Sequence, residues 1–156
     1  MGGATTATAT KAVTGPGFRF TAPADWHVAR TPTSITARPS AGADTLVSAA
    51  VYRLGKTYTP GGFDAAAKEL DGVAARLAHA AGGKVVSGET TSVAGRKVRS
   101  YRFTASSKGA GPTDDRVAFV LAGKREVQLL CQAPRGAGDP DGACGLLYDT
   151  FSLSGG

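Results

Sequence analysis

The chain has 156 residues, of which 42% are hydrophobic and 19% are charged, and this composition suits one folded domain rather than a disordered segment. The net charge is +6 and the pI is about 9.6, so anionic neighbours such as phospholipid head groups or acidic wall polymers are favoured. The basic residues form no dense run, so nucleic acid is not an expected partner, and no apolar stretch approaches the roughly 20 residues of a membrane-spanning helix.

The first part of the chain is small and polar and shows no period. We expect residues 1–16 to form a flexible leader or tether and residues 17–154 to form a single domain. A tether rich in Thr and Ala is typical of the segment that follows a lipid-anchored cysteine. That cysteine is not present here, so membrane attachment is expected only of a longer precursor.

The first half of the domain shows the alternation and turn residues that are typical of β-strands. Strands are predicted at residues 18–21, 26–28, 34–37 and 46–54, and Pro23 ends the first of them. The short connections between them indicate an antiparallel meander.

An amphipathic helix is the clearest element of the sequence. It begins near Phe63 and ends at the Gly82-Gly83 pair, as helices with C-terminal glycines do. Its apolar stripe consists of Phe63, Ala66, Leu70, Val73, Ala74, Leu77 and Ala81. The polar residues Asp64, Lys68, Asp71 and His79 are predicted to project on the opposite side.

Four further strands are predicted at residues 84–93, 96–105, 116–122 and 126–133. Ala94-Gly95 and Gly123-Lys124 are the expected hairpin turns, and residues 106–113 are expected to form a flexible loop. The segment from Val117 to Ala122 is apolar on both faces, which indicates a central strand covered on both sides. A short C-terminal helix carrying Leu147, Tyr148 and Phe151 is the predicted second layer.

The two cysteines, Cys131 and Cys144, are both predicted to face one interface between a strand and this helix. Cys131 shares the parity of Val127 and Leu129, and Cys144 shares the apolar stripe of the helix. A disulfide between them would stabilise the fold by about 3 kcal/mol and would place the protein in an oxidising compartment, outside the cytoplasmic membrane. Zinc would need four ligands, and two Cys and two His without a CxxC motif do not indicate it.

No motif indicates catalysis, a metal or a cofactor. Gly55-Lys56-Thr57 lacks the remaining glycine of a phosphate-binding loop, and Asp139-Pro140-Asp141-Gly142 lacks the ligands of a calcium loop, so both are predicted to be turns. The sequence contains no GxSxG, SxxK or HExxH pattern. We therefore predict that the protein is not an enzyme and needs no cofactor.

One strand offers a candidate binding surface. Alternation places Lys97, Arg99 and Tyr101 on one side of residues 96–105, together with Phe103. Arginine beside an exposed aromatic ring can hold an anionic or sugar ligand. The alternative is that Tyr101 and Phe103 belong to the core while the arginines reach water along their aliphatic stems.

The order of these elements resembles the PsbP-like family. A strand that ends in Pro23 just before Trp26, the helix led by Phe63, a hairpin at Val93-Ala94-Gly95, and then Tyr101-Arg102-Phe103 carry the resemblance over residues 17–153. The exported lipoproteins of actinobacteria within this family have a similar composition rich in Ala, Gly and Arg. The resemblance implies an α/β/α sandwich used for binding or assembly, and it carries over no catalytic residues.

The predicted fold class is therefore α+β: an antiparallel sheet of about six to eight strands, with the long helix on one face and the short C-terminal helix on the other. A cystatin-like sheet around one helix is the alternative, and the position of the last helix decides between them. The expected function is a secreted or cell-surface module that binds an envelope protein or an anionic envelope component. A carrier of a small ligand or lipid, with a pocket between helix and sheet, is the second hypothesis.

Overall fold

The computed structural model of the chain describes residues 9–40, 43–107 and 110–154, which contain nine strands and two α-helices. The elements in chain order are β1 (Thr10–Gly15), β2 (Phe18–Pro23), β3 (His27–Arg30), β4 (Ser34–Arg38), β5 (Leu46–Tyr58), α1 (Phe63–Ala80), β6 (Val85–Val93), β7 (Arg96–Ser107), β8 (Ala110–Pro134), α2 (Ala143–Thr150) and β9 (Ser152–Leu153). No helix in these residues is long and apolar enough to cross a membrane.

The larger sheet is antiparallel, with the strand order β3-β4-β5-β8-β7-β6. The long strand β8 reverses direction at Gly123, which has a φ of 58°. Its first half pairs with β7 and its second half with β5, while the amide of Arg135 donates to the carbonyl of Pro112 at 3.0 Å. The hairpin turn predicted at Gly123-Lys124 therefore lies at this reversal.

Helix α1 covers one face of the β6–β7–β8 part of the sheet. Its buried residues Leu70, Ala74 and Ala78 pack against Tyr101, Phe103, Ala105, Val117 and Phe119. The chain leaves the helix through Gly83, where a Cβ atom would lie 1.7 Å from the carbonyl oxygen of Thr104. Only glycine allows this close approach between the end of the helix and β7.

Helix α2 and a three-stranded sheet, ordered β1-β2-β9, cover the opposite face. The rings of Phe18, Phe20, Trp26 and Phe151 are buried there, with Leu147 of α2. Because α2 lies opposite α1, the sheet has a layer on each side, and the structure has the predicted PsbP-like arrangement rather than the cystatin-like one. The prediction of a strand apolar on both faces is explained, since Val117 and Phe119 face α1 while Ala118 and Val120 face the other layer.

The small sheet departs from the sequence prediction at two places. The sequence predicts a leader over residues 10–15, yet these residues form β1, pair along the whole of β2 and bury Val13 to 1% exposure. The prediction was wrong for these residues because one buried apolar side chain and a complete set of backbone hydrogen bonds suffice for a strand that joins an existing one. The short strand β9, which pairs Phe18 with Leu153, was not predicted either. The rest of the leader, residues 1–8, lies outside the described residues.

The predicted loop over residues 106–113 is also largely strand. The antiparallel pairing of β7 and β8 continues from Ala105 and Thr113 to Ser107 and Ala110, with a shift of register between the two pairs, and residues 108–109 lie outside the described part of the chain. Thr113 is buried, and its hydroxyl donates to Asp115 at 2.7 Å. The polar composition misled the prediction, because a hydroxyl that is satisfied by a neighbouring carboxylate can be buried.

A disulfide joins β8 to α2. The Sγ atoms of Cys131 and Cys144 are 2.10 Å apart, and the bond closes a separation of 13 residues. Within this loop, the carboxylate of Asp139 accepts hydrogen bonds from the amides of Cys144 and Gly145 at 2.8 and 3.0 Å, which satisfies two free donors of α2. The covalent bond and this cap together fix the first turn of α2 against the sheet.

We predict that the double substitution Cys131→Ala/Cys144→Ala lowers the free energy of unfolding by about 3 kcal/mol, because the unfolded chain is no longer constrained by the loop. Urea denaturation of the oxidised protein and of the variant measures this difference. Reduction of the native protein should move its midpoint toward that of the variant. Equal midpoints for the oxidised protein and the variant would contradict the stabilising role of the bond.

Candidate functional site

The three residues of the predicted binding surface, Lys97, Arg99 and Tyr101, share one side of β7, but this side faces α1. Tyr101 is only 3% exposed, so it offers no open aromatic ring to a ligand. Its hydroxyl donates a hydrogen bond to Asp71 of α1. Arg99 donates to the same carboxylate at 3.1 Å and to the Tyr101 hydroxyl at 3.3 Å. Arg99 and Tyr101 therefore help to fasten the helix to the sheet.

The sequence predicts Asp71 on the side of α1 opposite the apolar stripe, and the structure corrects this in part. The carboxylate remains about half exposed, but the long side chains of Arg99 and Tyr101 reach it from the sheet. Helical periodicity alone could not show this contact, because it depends on which strand lies beneath the helix. Lys97, the third residue of the predicted binding surface, is exposed, and its ammonium group lies 4.9 Å from the centre of the Phe63 ring.

The proton affinities of the cluster follow from these contacts. The hydrogen bond from Tyr101, with further contributions from Arg99, lowers the pKa of Asp71 despite some desolvation. Burial, followed by the hydrogen bond to Asp71, raises the pKa of Tyr101 to about 12. The folded state therefore favours ionised Asp71 and neutral Tyr101.

Basic side chains gather at one end of the larger sheet, which we call the basic pole: Arg53, Lys56, Arg96, Lys97, Lys124 and Arg125. They are far apart in sequence, and the antiparallel register unites them. The reversal of β8 at Gly123 lies beside the end of β5, since Gly123 pairs with Tyr58. The β6–β7 turn at Gly95 lies at the same end of the sheet. The start of β7 is next to the part of β8 that approaches Gly123, because Arg99 pairs with Phe119.

The carboxylates near the basic pole neutralise little of its charge. Glu69 lies 3.9 Å from Lys56, and both side chains are largely exposed, so this ion pair contributes little. Glu126 follows Arg125 in the strand and so points to the other side of the sheet, where Gln128 donates to it at 3.0 Å. Six aspartates lie toward the opposite end of the sheet: Asp25, Asp44, Asp114, Asp115, Asp139 and Asp141. Cations lie toward that end too, since Arg135 is 3.7 Å from Asp114 and Lys11 donates to the carbonyl of Trp26. The aspartate end is therefore partly neutralised, and the excess of positive charge lies at the basic pole.

A cleft of about 550 Å³ opens between the first turn of α2 and the larger sheet. Trp26 and the disulfide lie along one wall, and Arg102 and Arg116 of two neighbouring strands lie along another. The Arg116 guanidinium is 4.0 Å from the centre of the Tyr148 ring and donates to the Ser100 hydroxyl at 3.3 Å. Val86, which is 65% exposed, stands at the rim. The cleft is thus part apolar and part charged.

The turn motifs have structural roles. Residues 139–142 are the predicted turn that resembles a calcium loop. Here Asp139 caps α2, and Asp141 accepts a hydrogen bond from the Trp26 indole at 2.9 Å. His27 and His79 are exposed. Within the described residues, no group of three or more His, Cys, Asp or Glu side chains could hold a metal ion.

We predict that wild-type protein loses stability as the pH rises from 10 toward 12, because unfolded tyrosine releases its proton near pH 10 whereas folded Tyr101 holds it to about pH 12. The stabilisation linked to Tyr101 is complete below pH 10. Urea denaturation at a series of alkaline pH values should show a smaller loss for Tyr101→Phe, whose ring has no proton to release. Parallel losses in the two proteins would contradict this assignment.

Structural comparison places these features in a known fold. The chain superimposes on the solution structure of cyanobacterial PsbP (CyanoP) from Synechocystis sp. PCC 6803 with a TM-score of 0.66 and 12% identity, over 98% of this chain and 96% of that one. LpqN, involved in cell envelope biogenesis of Mycobacterium tuberculosis, gives a TM-score of 0.59 and 15% identity, over 94% of this chain and 91% of LpqN.

A crystal structure from Bacteroides thetaiotaomicron VPI-5482 gives a TM-score of 0.65 and 12% identity. It is matched by 93% of this chain, which spans only 48% of that protein's length. No family model matches the sequence, and no curated protein matches it significantly. The likeness is therefore one of structure, and on it the chain has the PsbP-like fold.

Proposed function

We propose that this domain is a non-enzymatic module that works outside the cytoplasm and binds an anionic envelope component, or an acidic surface of an envelope protein, through the basic pole. The single observation that carries the proposal is the excess of positive charge at one end of the sheet. A net charge of +6 could be spread evenly, but the fold gathers six cations at one end, whereas the aspartates at the other end have cations such as Arg135 beside them. Such an excess attracts and orients an anionic partner.

Two observations support a site of action outside the cytoplasm. A disulfide persists in oxidising compartments, and here it joins α2 to the larger sheet. LpqN, which shares the fold, is involved in cell envelope biogenesis. A role in binding rather than catalysis is supported by the Asp71–Arg99–Tyr101 cluster, whose polar groups bond to one another.

The position of β1 relative to the basic pole indicates which way the pole would face if the chain before β1 were anchored. Thr10 pairs with Pro23 at the end of the small sheet that is remote from the β1–β2 turn. That turn lies at the basic pole, because the carbonyl of Gly17 accepts a hydrogen bond from Arg125. If a preceding tether is anchored in a membrane, the basic pole faces away from that membrane and toward a partner.

We expect retention of the protein on immobilised anionic polymer to decrease steeply as NaCl rises from about 0.05 to about 0.5 M, because exposed charges are screened over shorter distances. Arg96→Glu and Lys84→Glu are matched variants. Lys84 lies just before β6 and Arg96 just after the turn that follows it, and each substitution changes the net charge from +6 to +4. Arg96→Glu, at the basic pole, should weaken retention severalfold more than Lys84→Glu. Equal effects would contradict recognition by the pole.

A second candidate function is the carriage of a small amphipathic ligand, and the cleft beside α2 favours it. Its volume of about 550 Å³ lies within the range of ligand sites, and it lies between a helix and the sheet. Trp26 lines the cleft and is the single tryptophan of the chain, so its fluorescence reports on this place alone.

For the carrier, we predict that titration with a short-chain amphiphile below its micellar concentration changes Trp26 fluorescence in a saturable way. The substitution Val86→Asp at the exposed rim should weaken this binding, because an apolar chain that packs there would remove water from the carboxylate. Arg96→Glu, at the other end of the sheet, should leave it unchanged. If amphiphiles with several different head groups all fail to give a saturable change, this candidate function is excluded.

A further inference from the structure

A shallow depression of about 320 Å³ lies at the basic pole, and its lining is unlike that of the cleft beside α2. It is formed by Val51, Tyr52, Arg53, Lys124 and Arg125, and we call it the tip site. Three of these five residues are cationic, and none is acidic. The cleft, in contrast, is lined by Asp114, Asp115 and Asp139 as well as by its two arginines.

Two of the cations at the tip site are held opposite one another. Arg53 and Arg125 are cross-strand partners in the register of β5 and β8, so their side chains leave the sheet on the same face. Like charges in directly opposite positions destabilise a sheet. Lys124, in the turn, adds a third positive charge. A bound anion would relieve this repulsion.

Arg125 is already oriented before any ligand arrives. One of its terminal nitrogens, Nη1, donates to the carbonyl oxygens of Gly17 at 3.2 Å and Ser154 at 3.3 Å. Gly17 has a φ of +81°, and a Cβ atom there would lie 2.6 Å from the same nitrogen, so glycine leaves room for the guanidinium. No described residue accepts from the other guanidinium nitrogens of Arg125. A preorganised donor loses less entropy when it binds a ligand.

We propose that the tip site binds a phosphate group, and that the anionic component recognised by the basic pole carries phosphate. This inference rests on the proposed function and names its ligand chemistry. The planar guanidinium groups match the oxygens of phosphate, and lysine adds a point charge. Arginine also matches carboxylates, but three cations without a carboxylate favour a phosphate, which keeps its charge and presents more acceptor oxygens. The other cations of the basic pole, Lys56, Arg96 and Lys97, would contact neighbouring phosphates of a polymer.

The test compares two double variants that carry the same net charge of +4, since each removes two of the positive charges from +6. Arg53→Gln/Lys124→Gln alters the tip site, whereas Lys56→Gln/Arg96→Gln alters the same pole outside the depression. Arg125 is kept in both, because its bonds to Gly17 and Ser154 hold the small sheet. Thermal unfolding should show that both variants fold like the wild type.

The probes are poly(glycerol phosphate), polyglutamate of similar length and inorganic phosphate. We expect the wild type to prefer the phosphate polymer over polyglutamate. The tip-site variant should lose this preference and bind the phosphate polymer roughly tenfold more weakly, the usual effect of losing hydrogen bonds between charged groups. The control variant should keep the preference. Inorganic phosphate should compete with the polymer for the wild type.

Equal weakening in the two variants, with no preference for phosphate, would overturn the tip site while leaving electrostatic binding by the basic pole intact. A failure of inorganic phosphate to compete would likewise overturn recognition of a single phosphate group. Retention of neither polymer at low salt would overturn the tip site together with the proposed function.

Discussion

The antiparallel register of the central strand β8 is the constraint on which the rest of the structure depends. Successive side chains in a strand point to opposite faces, so the run from Val117 to Val120 places apolar residues on both sides of the sheet. Neither side can be left in water. Helix α1 covers one, and α2 with the small sheet covers the other, while the disulfide from Cys131 ties the second layer to the strand it covers. The layers follow from this one strand.

The same register places the charges. Because β8 reverses at Gly123, its tip lies beside the end of β5 and level with the turn between β6 and β7. Cations that are scattered through the sequence, such as Arg53 and Lys124, thereby become neighbours. The aspartates that precede α2 and β5 come to the opposite end, where Arg135 lies beside Asp114. A fold that is needed for packing thus also concentrates positive charge at one end of the sheet, and the proposed function depends on that concentration.

Much of the fold could be predicted from local pattern. The stripe of α1, the hairpin turns and the second layer over β8 all follow from residues close together in the chain. Local sequence pattern could not predict the contacts between segments that are distant in sequence. The strand β1 has one deeply buried apolar residue, Val13, and is a strand only because β2 is available to pair with it. Likewise, alternation predicts the side of β7 on which Tyr101 lies, but its burial depends on α1 lying over it. For the same reason the candidate site moved from β7 to the basic pole, whose residues are far apart in sequence and become neighbours only in the folded sheet.

The central claim is that the basic pole is the surface that meets the partner, and mapping of backbone amide chemical shifts during titration with poly(glycerol phosphate) tests it most directly. The predicted changes lie at residues 52–58, 94–97 and 123–126 and weaken with added salt, whereas residues 136–145, around the cleft and the start of α2, stay unchanged. Changes concentrated around that cleft, or spread evenly over the molecule, would contradict the account.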